Sequence, residues 1–255
     1  MIKEDKKNVV KAWLIAGGVF FLTIGVFFAM FYSQNYVKTY KPDESHEESG
    51  EFVLENANDK IIHQASDENG GIGDHVRGKV DSKVVFVEYA DMQCPGCAAS
   101  YGNVEKLTKK YGDKVAFVFR QFPLSMHENA RSSAAAVESA GQQGYFWEMI
   151  SALYSRRDEW IPLREGALLD KYQEIFASVA PDGDAQKFRD GISSTEIKQK
   201  VDYDYKFGRE TDKVNATPSF YINGVAIDIG AAQTQVELNK LLELAIEAAI
   251  DENGA

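Results

Sequence analysis

The sequence predicts an α/β protein with the element order βαβ, helical insertion, ββα, behind one N-terminal transmembrane helix. Three observations lead to this fold class: an uncharged apolar run over Ala12–Tyr32, two short apolar runs on either side of a helix that starts near Cys94, and a hairpin centred on Asn223-Gly224 before a closing helix. They divide the 255 residues into a cytoplasmic N-terminus (1–11), a transmembrane signal anchor (12–32), an acidic spacer (33–74), an α/β domain in two parts (75–125 and 213–252) and the helical insertion (126–212).

The N-terminal apolar run is long enough to cross a membrane once. As a helix, Ala12–Tyr32 spans roughly 30 Å, the thickness of the hydrocarbon core of a bilayer. Four lysines precede it, which places the N-terminus in the cytoplasm and the rest of the chain outside. The alternative is a cleaved secretory signal, although Ala29-Met30-Phe31 is a poor cleavage site. Both interpretations export the C-terminal domain.

The segment after the anchor is rich in Asp, Glu, Ser, Asn and Gly, and we expect a mostly solvated spacer over residues 33–74. Asp67-x-Asn69 faintly resembles a calcium loop, but the glycine and the final glutamate of such a loop are out of place. We therefore expect no metal site there.

The first half of the α/β domain reads as strand, helix, strand. Val84–Tyr89 is a short apolar run with β-branched and aromatic residues, as in a buried strand. The helix after it carries apolar residues at helical spacing and can end at Gly112, and Val115–Phe119 is a second strand. Such a unit has parallel strands and a right-handed crossover.

The region 126–212 has little strand character and is alanine-rich, so it is predicted as a block of helices. Strand character returns at Ser219–Ile222, turns at Asn223-Gly224 and is expected to continue through Val225–Ile229. The closing helix has one apolar face, formed by Leu238, Leu241, Leu242, Ala245, Ile246 and Ala249.

Composition excludes several classes of function. With 28 Lys+Arg against 39 Asp+Glu, the formal charge is -11, which is unfavourable for nucleic-acid binding. The chain has only two cysteines, Cys94 and Cys97, so neither a disulfide-stapled scaffold nor a four-cysteine zinc site can form within it.

The two cysteines form a Cys-x-x-Cys motif at the start of a helix, where unpaired backbone N–H groups and the helix dipole stabilise a thiolate. Pro95 suits the first turn because its missing N–H needs no partner there. The pKa of a thiol in the position of Cys94 can fall from about 8.5 into the range of roughly 3.5–7.5. The alternatives are half of a zinc site, for which the four histidines offer no pair at ligand spacing, and an inert buried pair.

The run V-E-Y-A-D-M-Q-C-P-G-C between a strand and a helix, with Ala216-Thr217-Pro218 far downstream before a hairpin, resembles the thioredoxin superfamily. The helical insertion makes the chain similar to DsbA-like thiol:disulfide oxidoreductases, especially the membrane-anchored or exported bacterial ones. The resemblance implies a thioredoxin fold with an inserted helical domain, Cys94 as nucleophile, Cys97 as resolving cysteine and Pro218 as a cis-proline beside them. Thr217, Pro218, Pro95 and Gly96 are then expected to contact substrate, and the only cofactor is the redox-active disulfide itself. Alternatively, Pro218 merely starts a strand.

Glu88 interrupts an apolar strand six residues before Cys94, where relatives place a buried acid. A carboxyl group buried there has a raised pKa and can relay a proton to or from Cys97; the alternative is a solvated glutamate at a sheet edge. The chain departs from the best-known enteric members at Gly96, where histidine often helps to stabilise the thiolate. The redox potential is therefore not set by the resemblance.

The predicted function is a membrane-tethered extracytoplasmic oxidase that donates the Cys94–Cys97 disulfide to exported cysteine-containing proteins. By the resemblance alone, a quinone-linked membrane partner similar to DsbB or to a vitamin K epoxide reductase homologue reoxidises it. No separate dimerisation domain is visible, which favours a monomer. The alternatives are a reductase or isomerase of the same fold, a Cu(I)-binding thiol module, and a structural domain with inert cysteines.

Overall fold

The computed structural model describes residues 61–254. The predicted anchor 12–32, the predicted cytoplasmic segment 1–11 and the larger part of the predicted spacer lie outside the described residues. None of the helices among residues 61–254 combines the length and the apolar character that a bilayer crossing requires.

The elements follow the predicted order, with six helices inserted between β3 and β4. They are β1 His75–Gly78, β2 Val85–Ala90, α1 Pro95–Tyr111, β3 Ala116–Gln121, α2 Ala130–Gly141, α3 Phe146–Ser155, α4 Arg157–Trp160, α5 Glu165–Val179, α6 Ala185–Ile192, α7 Thr195–Glu210, β4 Ser219–Ile222, β5 Val225–Ala226 and α8 Gln235–Asn253. The α/β fold class with a helical insertion is therefore confirmed.

The strands form one sheet in the order β1-β3-β2-β4-β5. Strands β2 and β3 are parallel, as the strand–helix–strand unit requires, and the other neighbours are antiparallel. Strand β1 was not predicted, because its sequence His-Val-Arg-Gly has no apolar alternation to mark it. Strand β5 is shorter than the predicted Val225–Ile229, and Asp228 turns the chain by accepting a 2.9 Å hydrogen bond from the Gly230 N–H.

The two faces of the sheet are covered by different elements. On one face, Phe86, Phe117 and Phe220 pack against apolar residues of α1 and α8. The opposite face includes Val87 and Tyr221 and is covered by residues near the start of the described chain and around α7. Because β2 is central and buried at all six positions, its C-terminal end and the start of α1 are held in a fixed place.

The C-terminal end of the predicted spacer, residues 61–74, packs against the domain at a few positions, while Gln64–Glu68 are exposed. Ile62 and Ile72 are buried against the domain. Asn69 lies in a single 3₁₀ turn, where its side-chain oxygen accepts a 2.8 Å hydrogen bond from the Ser66 N–H and its amide donates to the Gln64 carbonyl. Its polar atoms thus stabilise the turn.

Asp74 is the charged residue that fixes this segment to the domain. Its carboxylate accepts from the Arg120 guanidinium at 2.7 Å and from the Lys200 ammonium at 3.0 Å, and Lys200 also donates to Asp204 at 2.7 Å. All four side chains are buried. Asp74 and Asp204 also lie near His63 in a group with the spacing of metal ligands, but the two cations already neutralise the carboxylates.

Candidate active site

Cys94 lies where β2 ends and α1 begins, as the motif predicts. Its backbone is extended, with φ -68° and ψ 124°, and Pro95 is the first helical residue. The Cys94 N–H donates to the Asp91 carbonyl at 3.0 Å and the Cys94 carbonyl accepts from the Ala98 N–H at 3.1 Å. Both cysteines are free thiols, so the structure represents the dithiol form.

The environment of Cys94 stabilises its thiolate. A hydrogen bond from the Cys97 thiol is the largest influence, and the backbone N–H groups of Cys97 and Gly96 add to it. Together they outweigh burial and lower the pKa of Cys94 from 9.0 to about 5. Cys94 therefore carries a negative charge at neutral pH, and this pattern of donors is that of a helix N-terminus.

Cys97 has the opposite character. Burial raises its pKa well above the ordinary value, and the nearby charges of Cys94 and Glu88 raise it further. Its side chain is fully enclosed, with 0% exposure. One cysteine is thus poised as a thiolate and the other is held as a thiol, which is the asymmetry expected of an attacking and a resolving residue.

The Thr217–Pro218 loop lies directly against the dithiol, and the peptide bond between these residues is cis. The Cys94 sulfur is 3.4 Å from the Thr217 carbonyl oxygen. Gly96 faces the same loop: a Cβ atom on it would be 3.2 Å from Pro218 Cδ and 3.6 Å from the Cys94 sulfur. A side chain at this position would therefore require the loop to shift by a few tenths of an ångström.

Pro95 and Gly96 follow Cys94 in the chain, and the Thr217–Pro218 loop lies next to its sulfur. Pro95 is exposed, and Gly96, Thr217 and Pro218 are partly exposed. All four residues predicted to contact substrate are thus at the surface around one reactive sulfur.

Glu88 lies inside the domain, not at a solvated sheet edge. It is fourth in the central strand β2, between Phe119 of β3 and Phe220 of β4 in the register. Burial raises its pKa from 4.5 to about 8. At neutral pH it is therefore mostly protonated and able to donate a proton, while a modest rise in pH converts it into a base.

The helical insertion contributes a residue that the sequence did not mark as part of the site. Tyr154 of α3 is buried in the same apolar cluster as both cysteines, and Trp160 of α4 belongs to that cluster too. Burial raises the pKa of Tyr154 well above its usual value, and the charges of Cys97 and Glu88 raise it further. A single tyrosine in a predicted helix carries no pattern that would have singled it out.

A second unpredicted feature holds the loop before the dithiol. The buried Asp91 carboxylate accepts from the Gln93 and Leu124 N–H groups at 2.7 and 2.8 Å, and it lies 2.8 Å from His127 Nδ1. Arg157 donates to the Gln93 carbonyl from the other side. The position of Asp91, three residues before Cys94 and just after β2, was the available indication of its role.

Solved structures with the same fold include α-DsbA1 from Wolbachia pipientis, which has a TM-score of 0.58 and 18% identity and covers 77% of this chain and 97% of its own. BdbD from Bacillus subtilis in its oxidised form has a TM-score of 0.57 and 20% identity, covering 74% of this chain and 97% of its own. At these identities the similarity establishes the fold.

The curated relatives carry a different name. A sodium/proton antiporter NhaA 1 from Mycolicibacterium vanbaalenii is 34% identical over 157 residues, which is 60% of this chain and 24% of the antiporter. The chain thus spans about a quarter of the length of that relative. The family model described as Thioredoxin matches residues 71–244, including both cysteines and the cis-proline. With this match over more than half of its length, the chain belongs to the thioredoxin family.

Proposed function

We propose that this protein is a membrane-tethered extracytoplasmic thiol:disulfide oxidoreductase that works as an oxidase of exported proteins. The opposite pKa shifts of the two cysteines carry the proposal, with that of Cys94 lowered to about 5 and that of Cys97 raised. An inert pair does not need such an asymmetry.

The transfer proceeds in two exchanges. A substrate thiolate attacks the Cys94 sulfur of the Cys94–Cys97 disulfide, the bond between the two cysteines breaks, and Cys97 leaves and takes up a proton. A second substrate thiolate then attacks the substrate sulfur bonded to Cys94, and Cys94 leaves as the stabilised thiolate. The substrate loses two electrons and gains a disulfide, and the protein becomes the dithiol.

The low pKa of Cys94 favours this direction. A thiol with a pKa of about 5 is stabilised as a thiolate by about 2.7 kcal/mol at pH 7, which corresponds to a potential roughly 60 mV more oxidising. The N–H donors thus contribute in part what the histidine of enteric relatives would contribute at Gly96.

Glu88 is proposed to supply and remove the proton of Cys97. In the reaction with substrate it is the acid that protonates the leaving Cys97 sulfur. In reoxidation the same group, as a carboxylate, takes the proton from Cys97 so that this sulfur can attack. A pKa near 8 allows both roles close to neutral pH.

Location and partners complete the proposal. The apolar run Ala12–Tyr32 and the lysines before it support a tether with the catalytic domain outside the cytoplasm. Substrates are exported proteins with cysteine pairs, and a quinone-linked membrane partner accepts the electrons. Antiport is not carried over from the NhaA relative, because the match covers 24% of that protein.

The redox potential of the full-length protein decides the direction of transfer. Equilibration with glutathione buffers, followed by acid quench and alkylation, gives the fraction of dithiol at each ratio. A value near -120 mV supports the oxidase, and one near -270 mV supports a reductase. The Cys94→Ser variant is the control, because it cannot form the intramolecular disulfide, and copper bound to the purified wild type would favour the metal module.

A further inference from the structure

A group of exposed lysines lies at the end of the domain opposite to Cys94. Lys83 comes just before strand β2 and Lys109 is in the last turn of α1, whereas Cys94 follows β2 and caps the start of α1. Because α1 has 17 residues, its two ends are roughly 25 Å apart. We call this end of the domain the lysine surface, and its five lysines are Lys79, Lys83, Lys106, Lys109 and Lys114.

Backbone contacts bring these lysines together from three segments of the chain. The Lys79 N–H donates to the Val115 carbonyl at 3.1 Å, and the Ser82 hydroxyl donates to the Lys114 carbonyl. The Val115 N–H in turn donates to the carbonyl of Tyr111 at the end of α1, at 2.8 Å. The turn before β2, the start of β3 and the end of α1 therefore meet, and their lysines share one surface.

Acidic side chains do not neutralise the lysine surface. Within residues 61–254, none of its five lysines takes part in an ion pair, whereas the neighbouring Lys110 is paired with Glu243 at 2.5 Å. The exposed acids beside these lysines are Asp81 and Asp113. Five lysines against two aspartates leave an excess of three positive charges. This end of the domain therefore has the opposite sign to the chain as a whole, whose formal charge is -11.

Val80 adds an apolar side chain to the lysine surface. It lies at the tip of a turn that is closed by a 2.9 Å hydrogen bond from the Ser82 N–H to the Lys79 carbonyl. Val80 is 59% exposed. Lysines next to an exposed apolar residue fit the boundary of an anionic bilayer, because the cations meet lipid phosphates while the apolar group enters the layer between headgroups and acyl chains.

The predicted tether keeps a bilayer within reach of the lysine surface. Residues 33–60 join the predicted anchor to the described domain, and a chain of this length covers up to roughly 90 Å when extended. The domain can therefore turn any face toward the membrane. Because anchor and domain belong to one chain, the effective concentration of the bilayer is high, and a weak attraction is sufficient for docking.

We propose that the lysine surface docks the domain on the anionic lipid headgroups of the membrane that holds its anchor. The proposal rests on the membrane tether of the proposed function and not on the direction of electron transfer. The docked domain holds Cys94 on the side away from the bilayer, where exported chains reach it. Reoxidation by a membrane partner then requires the domain to leave the docked position, which the length of the spacer permits.

Lysine acetylation measures which face of the domain the membrane covers. Full-length protein is inserted into nanodiscs of phosphatidylcholine, alone or with about one third phosphatidylglycerol, and treated with the uncharged reagent N-hydroxysuccinimidyl acetate before peptide mass spectrometry. In the anionic discs, we expect the lysine surface to react at least about threefold more slowly than in the neutral discs. About 1 M sodium chloride shortens the screening length to about 3 Å and should abolish this protection. The control lysines, which should react equally in both discs, are the exposed Lys187, Lys206 and Lys240 of α6, α7 and α8.

A matched pair of variants separates this surface from charge in general. The first variant combines Lys79→Gln, Lys83→Gln and Lys109→Gln, and the protection of the two remaining lysines, Lys106 and Lys114, should be lost. The second variant replaces the three control lysines with glutamine and should keep the protection. All six side chains are exposed, and the glutathione equilibrium of the dithiol should be unchanged in both variants.

Equal acetylation rates in the two kinds of disc would overturn the proposal. Slow acetylation of the lysine surface in both discs would overturn it too, because the acidic segment 42–59 or another part of the protein would then cover the lysines. Equal slowing of the control lysines in anionic discs would mean that the domain has no preferred face. If the chain does not enter nanodiscs, the tether and this proposal fail together, while the glutathione potential still decides the direction of electron transfer. Protection in a protein with the potential of a reductase would support docking and refute the oxidase.

Discussion

The hydrogen bond from Cys97 to the Cys94 thiolate can be tested by replacing its donor. It is the largest of the influences that lower the pKa of Cys94 to about 5. A hydrogen bond to a charged group is worth about 1.5–3 kcal/mol, so losing it should raise the pKa by roughly 1–2 units. We expect the Cys97→Ala variant to have a Cys94 pKa near 6.5, and Cys97→Ser, which keeps a donor, to stay close to the wild type.

The difference is large only at acidic pH. At pH 5 the thiolate fraction should fall from about half to about 3% when the pKa rises by roughly 1.5 units, a loss of about fifteenfold in alkylation rate. At pH 8 both variants should react alike. Because the chain has two cysteines, either substitution leaves Cys94 as the sole thiol, and iodoacetamide labelling measured by mass spectrometry reports on it alone.

Two results would refute this reasoning. Equal pKa values in the alanine and serine variants would mean that the backbone N–H groups hold the thiolate without Cys97. A pKa near 9 in both variants would mean that the start of α1 does not stabilise a thiolate at all. The 240 nm absorbance of the thiolate, followed across pH, gives an independent measurement of the same quantity.

Three further predictions concern buried charges, each measured by urea denaturation. Glu88 has a folded pKa of about 8 against 4.5 when free, so the folded state binds the extra proton and stability falls as pH rises between these values. Glu88→Gln should remove this fall and be more stable than wild type at pH 8 by roughly 4 kcal/mol, with little difference at pH 4.5. Lys200→Met leaves Asp74 without one of its buried cations and should cost about 3–5 kcal/mol, whereas Lys198→Met, at a side chain 74% exposed, should change stability by less than about 0.5 kcal/mol. Burial alone would raise the pKa of Asp74, but Lys200 and Arg120 outweigh burial and hold the pKa well below its usual range. The wild type should therefore lose stability as pH falls below about 4, and the Asp74→Asn variant should lose less stability over the same pH range. Equal pH dependence of stability in the two proteins would contradict this account.

Much of the fold could be predicted because its central elements are buried on both sides. Strand β2 reads as a continuous apolar run, and the cysteine motif that follows marks the start of α1, so both were visible in the sequence. Strand β1 was not, because an edge strand with intermediate burial needs no apolar pattern. The burial of Ile62 and Ile72 before it was not predicted for a related reason: the buried ion pair of Asp74 holds that segment, and a charged residue indicates solvent until its partners are known.

The candidate site shows the same division. Residues of the Cys-x-x-Cys motif, such as Cys94 and Gly96, could be placed at the start of the helix from local sequence rules. Tyr154 reaches the dithiol from the inserted helices, so its place in the site depends on tertiary contacts that no spacing in the sequence encodes. Glu88 was found because it interrupts an apolar strand. Burying a carboxyl group costs stability, so a glutamate in such a strand indicates a functional role.

The helical insertion does more than shield the active site from solvent, because it also affects the pKa values of the two cysteines. Cys97 belongs to one apolar cluster with Met149, Tyr154 and Trp160 of the inserted helices. Burial in that cluster is the largest influence that raises the pKa of Cys97, whereas Cys94 owes its low pKa to hydrogen bonds at the start of α1. The thioredoxin half alone would therefore give a reactive thiolate at Cys94 but a less protected Cys97. Since the donor that Cys94 needs is a protonated Cys97, the insertion also stabilises the Cys94 thiolate indirectly, by keeping Cys97 protonated.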